Sequence, residues 1–465
     1  MILKRFYDEK LAQASYLVGC PGAGAAIVID PNRNFQQYID EAAKDGMKIT
    51  AVTETHIHAD YLSGSLELAE RTGATLYVSD EGDADWKYSI PTQFHRLKDG
   101  DVIQAGAVKL EVIHTPGHTP EHISFLLTDA ATSPEPLGIF SGDFVFVGDV
   151  GRPDLLEQAA GVSGTQEPGA RDLFQSIKKL ADLPDHLLIW PGHGAGSACG
   201  KSLGGVPVSS LGYERRTNWA FKATSEDAFV REVLSGQPEP PTYFAEMKRM
   251  NKLGPALLPV RDRLPRIADS SVLTNSEVVV LDVRPSAEYL SKHIKGSLHA
   301  PLAQSFTTWA GWYVPYRTDI VILAKNGEDA EDAVKNLAMI GLDQVIGWAD
   351  ESLLNDVAGS GVSVASITSL PSDEVDLANG VLLDVRSQNE WEEGHIDGAI
   401  HIPMGFLARR RDQIPGDKTI YVHCRGGVRS PVAAAMVERL GFGPVINVSD
   451  GYLGLVEWSK TVVHS

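Results

Sequence analysis

At 465 residues the chain holds roughly two to four domains, and 43% apolar residues are enough for ordinary packed cores. A formal net charge of −20 argues against nucleic acid and anionic membrane as partners, because both select a basic surface. Three cysteines, far apart at Cys20, Cys199 and Cys424, exclude a disulfide framework; with no signal-like segment over 1–7 and no later apolar run long enough to span a bilayer, the expected location is the reducing cytoplasm.

In chain order, strands are predicted at 14–18 and 25–30 and a helix over 35–45. The apolar, β-branched run 49–53 then delivers Thr55-His56-Ile57-His58-Ala59-Asp60-Tyr61, followed by Ser63 and Gly64. A strand end holds imidazole and carboxylate with little rotamer freedom, which suits zinc or ferrous iron. Alone, the motif also describes two exposed loop histidines and a helix-capping Asp60. A helix over 62–72 ends at Gly73, and strands are predicted at 75–79, 108–115, 123–128 and 137–140. Polar loops follow these apolar runs: Thr115-Pro116-Gly117-His118-Thr119, then Ser141-Gly142-Asp143. A helix over 171–183 and a strand over 187–190 lead to Pro191-Gly192-His193-Gly194. The segment 236–259 contains Gln237-Pro238-Glu239-Pro240-Pro241 and reads as an extended wrap that closes a first domain spanning 1–259.

This series of loops resembles the metallo-β-lactamase superfamily. The resemblance implies an α/β fold, an αββα sandwich that gathers its metal ligands at one edge of two sheets. It assigns His56, His58 and His118 to a first metal position and Asp60 and His193 to a second, with Asp143 between them. Hydrolases of the superfamily carry histidine where this chain has Tyr61, and a phenol is a poor substitute. One metal is therefore expected, held by His56, His118 and Asp143: two imidazoles and one carboxylate with open positions, the set non-haem iron uses. His58, Asp60 and His193 would then fix the ligands or bond to bound water or oxygen. The run Gly151-Arg152-Pro153-Asp154 is similar to the Gly-Arg-x-Asp segment of the dioxygenases, in which Arg152 would hold a substrate carboxylate or a network behind the ligands. Cys199, six residues after His193, is expected to accept sulfane sulfur near the metal, with Lys201 favouring its thiolate. The alternative is a compact apolar side chain without a role.

The remaining residues contain an internal repeat. Val279-Val280-Leu281-Asp282-Val283-Arg284 recurs as Val381-Leu382-Leu383-Asp384-Val385-Arg386, and His293-Ile294-Lys295-Gly296 as His395-Ile396-Asp397-Gly398. Two copies of one α/β domain are expected, over 260–365 and 366–465. The second adds a strand over 419–423, then Cys424-Arg425-Gly426-Gly427-Val428-Arg429-Ser430, then a helix. Such a loop aims backbone N–H groups at its centre, and with Arg425 and Arg429 beside it Cys424 is expected as a thiolate. The repeat resembles rhodanese, whose loop leaves four residues between cysteine and arginine, as here; a phosphatase ring has five. The first copy puts Ala324 at the cysteine position, followed by Glu328 and Asp329, and cannot form a persulfide. As a whole the chain resembles the multidomain persulfide dioxygenase–sulfurtransferases of bacterial sulfide detoxification. That implies one Fe(II) per chain, a small thiol persulfide, O₂ and sulfite as partners, and a homo-oligomer. Two alternatives remain open: a thioester hydrolase of glyoxalase II type with one or two zinc ions, and a non-enzymatic sulfur carrier or sensor.

Overall fold

The computed structural model describes residues 1–155, 157, 164–259, 261, 263–356, 362–459 and 462–463. The chain divides into two compact units, Met1–Leu258 with Met339–Gly341, and Pro259–Ala338 with Leu342–Ser465. Residue 260, which opens the expected second domain, lies outside the described residues.

The first unit is built on two six-stranded sheets. One runs in sequence order through β1 (Ile2–Asp8), β2 (Gln13–Cys20), β3 (Ala25–Ile29), β4 (Lys48–Thr53), β5 (Thr75–Ser79) and β6 (His95–Leu97). The other is ordered β12 (Ser209–Ser210), β11 (Leu188–Pro191), β10 (Gly138–Gly142), β9 (Ile123–Asp129), β8 (Val108–His114) and β7 (Val102–Ala105). Side chains alternate across a strand, so neighbours on β2 enter different cores. Tyr16 and Val18 face Phe125, Phe140 and Trp190 between the sheets. Leu17 faces outward onto Tyr38 of helix α1 (Gln36–Lys44) and Leu68 of α2 (Ser65–Thr72). Helix α3 (Gln166–Lys179) covers the far sheet with Leu173, Phe174 and Ile177. With helices outside both sheets the layers are αββα, and strands buried on two faces read as continuous apolar runs.

The 236–259 segment is not an extended wrap throughout. Helix α4 (Phe244–Leu253) interrupts it, burying Phe244, Met247 and Asn251 at helical spacing. Strand β1 also lies outside every predicted element, and α3 begins at Gln166 rather than 171.

The second unit contains two parallel sheets. The first copy has β13 (Val278–Asp282), β14 (Leu298–His299), β15 (Asp319–Leu323) and β16 (Val345–Ala349), ordered β14-β13-β15-β16, with helix α5 (Gly327–Ala338) after β15. The second has β17 (Thr368–Leu370), β18 (Gly380–Asp384), β19 (Ile400–His401), β20 (Thr419–His423) and β21 (Val445–Val448), ordered β17-β21-β20-β18-β19. Helix α6 (Ser430–Arg439) follows β20. Ligands in open parallel sheets bind beyond the carboxyl ends of the strands, where Ala324 and Cys424 both lie. Among the described residues no helix is long and apolar enough to cross a membrane.

Candidate functional site

The loop after β4 carries His56, the loop after β8 His118 and the end of β10 Asp143. The fold brings all three together: Asp143 Oδ2 lies 3.9 Å from His56 Nε2 and 3.7 Å from His118 Nε2. All three side chains are buried. Their hydrogen bonds fix which ring nitrogen is free. Thr55 Oγ1 donates to Asp30 Oδ2 (2.8 Å), so it accepts from His56 Nδ1 (3.0 Å) and leaves the Nε2 lone pair unpartnered. His118 Nδ1 donates to the Arg152 carbonyl (2.9 Å), freeing its Nε2 in the same way. Burial, with neighbouring imidazoles adding for His56, holds both rings below the ordinary histidine range, in the neutral form a metal requires. Asp143 Oδ2 is likewise buried without a hydrogen-bond partner. Orphaned, convergent donors of this kind fit a cation, and the two-nitrogen, one-oxygen set suits ferrous iron or zinc.

The outer groups divide into two buried clusters. His193 bridges two carboxylates, Nδ1 to Asp143 Oδ1 at 2.7 Å and Nε2 to Asp60 Oδ2 at 2.6 Å. Burial disfavours its charge, yet Asp143 and Asp60 raise its pKa to about 10. Cys199 joins Asp60 and His193, their donor atoms all within 4.8 Å of one another. His58 turns the other way, with Nε2 3.0 Å from Glu54 Oε2 and 3.2 Å from Asp30 Oδ1. Tyr61 packs its ring on His58, with centroids 4.5 Å apart. Its hydroxyl donates to the Asp30 carbonyl (3.2 Å), and burial keeps the phenol protonated. Glycine is required where chain passes against Asp143: a Cβ on Gly151 would overlap its carbonyl oxygen, and one on Gly192 would lie 2.7 Å from Oδ1.

One expectation needs correction. Lys201 does not favour a Cys199 thiolate, because its ammonium is 2.9 Å from Glu232 Oε1 and lies over the Trp219 ring. Burial first, then the charges of Asp60 and Asp143, push the Cys199 thiol well above its ordinary range. Of the two roles expected for Arg152, its bonds match the network behind the ligands. It is buried, paired through two bonds of 2.7 and 2.8 Å with Asp154, and bonded to the carbonyls of Ala198 and Pro238.

Four positioning residues escaped the sequence reading. Asp30, at φ 51°, accepts from Thr55 N–H and Oγ1. Glu54 lies beside His58. His122 Nε2 accepts the Asp143 N–H (3.1 Å) while its ring stacks on His56. Asn251 on α4 donates to the carbonyls of His58 and Tyr61, each at 2.8 Å, and accepts from Ser63 N–H. The second histidine in His118-Thr119-Pro120-Glu121-His122 was the one available signal.

In the second unit Cys424 is buried at the end of β20, and Arg429 N–H points to its sulfur at 3.3 Å. Gly427 has φ 84° and no room for a Cβ against the Ser449 carbonyl. Arg425 is exposed, while Arg429 pairs through two 2.7 Å bonds with Glu390. In the first copy α5 begins three residues after Ala324, whereas α6 begins six residues after Cys424, so the first copy's loop is three residues shorter. Lys325 pairs instead with Glu288 at 2.7 Å.

Comparison with known proteins agrees with this division. Residues 9–193 match the metallo-beta-lactamase superfamily, and residues 270–353 and 371–459 match the rhodanese-like domain. A persulfide dioxygenase ETHE1, mitochondrial, of Bos taurus is 29% identical over 236 residues, 50% of this chain and 80% of that protein. A hydroxyacylglutathione hydrolase of Hyphomonas neptunium is 30% identical over 212 residues, 46% of this chain and 74% of that protein. The crystal structure of a metallo-beta-lactamase from Staphylococcus aureus subsp. aureus COL superposes with a TM-score of 0.68 at 43% identity, covering 75% of this chain and 99% of that one. The chain is thus a member of the metallo-beta-lactamase superfamily, its lactamase-fold domain fused to two rhodanese-like domains.

Proposed function

We propose that the first domain oxidises the outer sulfur of a low-molecular-weight thiol persulfide with O₂, and that the last transfers sulfane sulfur through Cys424. The observation that carries the reading is the convergence of His56 Nε2, His118 Nε2 and Asp143 Oδ2, with Tyr61 withdrawn from it. His56, His118 and Asp143 would hold ferrous iron, whose chemistry when bound would be the activation of O₂ toward a persulfide sulfur. Each turnover converts one persulfide, one O₂ and one water to one thiol, one sulfite and two protons. Thr55 and the Arg152 carbonyl keep both Nε2 lone pairs inward, and His193 holds Asp143 through its other oxygen. Arg152, clamped by Asp154, fixes the loop whose carbonyl orients His118.

At Cys424 a second persulfide delivers its outer sulfur to the thiolate and leaves as thiol. Sulfite then attacks the terminal sulfur of the Cys424 persulfide, the S–S bond breaks, thiosulfate departs and the thiolate is restored. Similarity to a persulfide dioxygenase over the first domain and to rhodanese over the last supports the pairing. A reducing compartment, the cytoplasm, suits three free cysteines.

A second reading has its own observation. Asp60, His193 and Cys199 would give a second cation three donors, as a dinuclear zinc thioester hydrolase needs, and a hydroxyacylglutathione hydrolase is among the relatives. The test is to load metal-free protein separately with ferrous iron and with zinc, then assay O₂ uptake with a thiol persulfide beside hydrolysis of a glutathione thioester. Iron-dependent O₂ uptake without hydrolysis is the expected result. Zinc-dependent hydrolysis with no O₂ uptake would establish the second reading instead.

A further inference from the structure

Helix α6, which begins at the Cys424 loop, is apolar nearly all round: Ser430, Pro431, Val432, Ala433, Ala434, Ala435, Met436 and Val437 are all buried. One domain offers a helix only one apolar contact stripe, so a helix buried on every side needs a second partner. Its counterpart α5 in the first copy keeps an exposed polar face, burying only Ala330, Ala333, Asn336, Leu337 and Ala338. The second partner of α6 is the cysteine-less copy. Strand β14 and the helix Ser286–Ser291 of that copy pack against α6, whose other side lies on β20 and β21.

The contact is polar at its far end. His293 is buried and stacked on Tyr289 with centroids 4.1 Å apart. Its Nδ1 donates to the Tyr289 carbonyl (2.8 Å), and its Nε2 meets Glu438 Oε2 of α6 at 3.0 Å. Burial opposes the charge on Glu438, but the bond to His293 holds its carboxyl below the usual range. Arg439, the next residue, donates to the Gly296 carbonyl. The cysteine-less copy also grips a second wall: Tyr313 Oη donates to the Met404 carbonyl (2.7 Å), in the turn after β19 at the carboxyl edge shared with Cys424.

From this placement we propose that the cysteine-less copy acts as the positioning half of the sulfur-transfer site, with His293 and Glu438 as its positioning residues. They set α6, and α6 sets the N–H groups that face the Cys424 sulfur. The inference rests on Cys424 as the sulfur-transfer residue, and it assigns chemistry-dependent work to a domain without chemistry of its own.

The experiment uses the full chain with Glu438→Ala, Glu438→Gln and His293→Gln. Cys424 alkylation by iodoacetamide is followed across pH by peptide mass spectrometry, beside steady-state sulfur transfer to cyanide. A Leu382→Ala variant, which destabilises the core of the Cys424 domain away from the contact, controls for stability. Glu438→Ala and His293→Gln should shift the alkylation profile to higher pH and lower kcat for transfer about tenfold, since small misplacements of a reacting group cost that much. Glu438→Gln, which keeps a hydrogen bond to His293, should recover most of both. An unchanged profile and kcat in Glu438→Ala, with only the melting temperature lowered as in Leu382→Ala, would overturn the proposal. The alkylation profile reads the loop even if Cys424 transfers no sulfur, so failure of the functional reading remains separate.

Discussion

Asp30 holds the metal loop through three different groups: the N–H and hydroxyl of Thr55 and, at 3.2 Å, His58 Nε2. Asp30→Asn tolerates the same left-handed backbone but cannot accept from both Thr55 groups and His58 at once, so His56 loses its fixed orientation. Metal affinity should fall about 10- to 100-fold, measured by competition with a chelator, while the far-UV spectrum stays native. Unchanged affinity would show that the Thr55 hydroxyl orients His56 without Asp30. The three converging side chains, His56, His118 and Asp143, were legible because each follows an apolar strand in a short polar loop. Asp30 was not, since an aspartate ending a strand is among the commonest turn signals and nothing local marks its partner Thr55, 25 residues on. The reach of Lys201 to Glu232 was also hidden, as were the Ala198 and Pro238 carbonyls that Arg152 finds, because only the fold brings them near.

Helix α4 shows what a local pattern can and cannot disclose. Phe244, Met247 and Asn251 recur at helical spacing, but the proline run 237–241 just before them dominates a composition-based reading. The helix places Asn251 against the metal loop, where it satisfies two carbonyls and one N–H. Asn251→Ala leaves three buried groups unmet at about 1–3 kcal/mol each before relaxation, so urea unfolding of the first unit should shift clearly to lower denaturant. A variant as stable as the parent would mean that water replaces the amide there.

The helix Gln388–Glu393 supports the cysteine loop by a different force. Glu390 closes a capping box with Ser387 and pairs with Arg429. Burial alone would raise its pKa, but the Arg429 bonds outweigh that and lower it from 4.5 to about 2. A depressed carboxylate contributes stability above its unfolded pKa and loses it as pH falls through the folded value. The stability gap between the parent and Glu390→Gln should therefore be constant above about pH 5 and close between pH 4.5 and 2. A gap independent of pH across that window would show that Glu390 acts through packing alone.

Over the whole molecule, order and repetition carried most of the information. A constant spacing between Asp282-Val283-Arg284 and Asp384-Val385-Arg386 disclosed two related sheets, and the structure gives both the same Asp–Arg pair, Asp282–Arg284 and Asp384–Arg386. The difference between the copies was legible at Ala324 and Cys424. The helix α6 contact was not, because its apolar residues are as consistent with one core as with two. The proposed activities join in one chain because the product of the first, sulfite, is the acceptor for the second. The most direct measurement is product partition under O₂ with a thiol persulfide, comparing the iron-loaded parent with Cys424→Ser. Thiosulfate from the parent and sulfite alone from Cys424→Ser are expected, with equal initial rates of O₂ uptake and, at completion, half as much O₂ consumed per persulfide by the parent. Absence of O₂-dependent sulfite from Cys424→Ser, or loss of its O₂ uptake, would contradict the proposed activities.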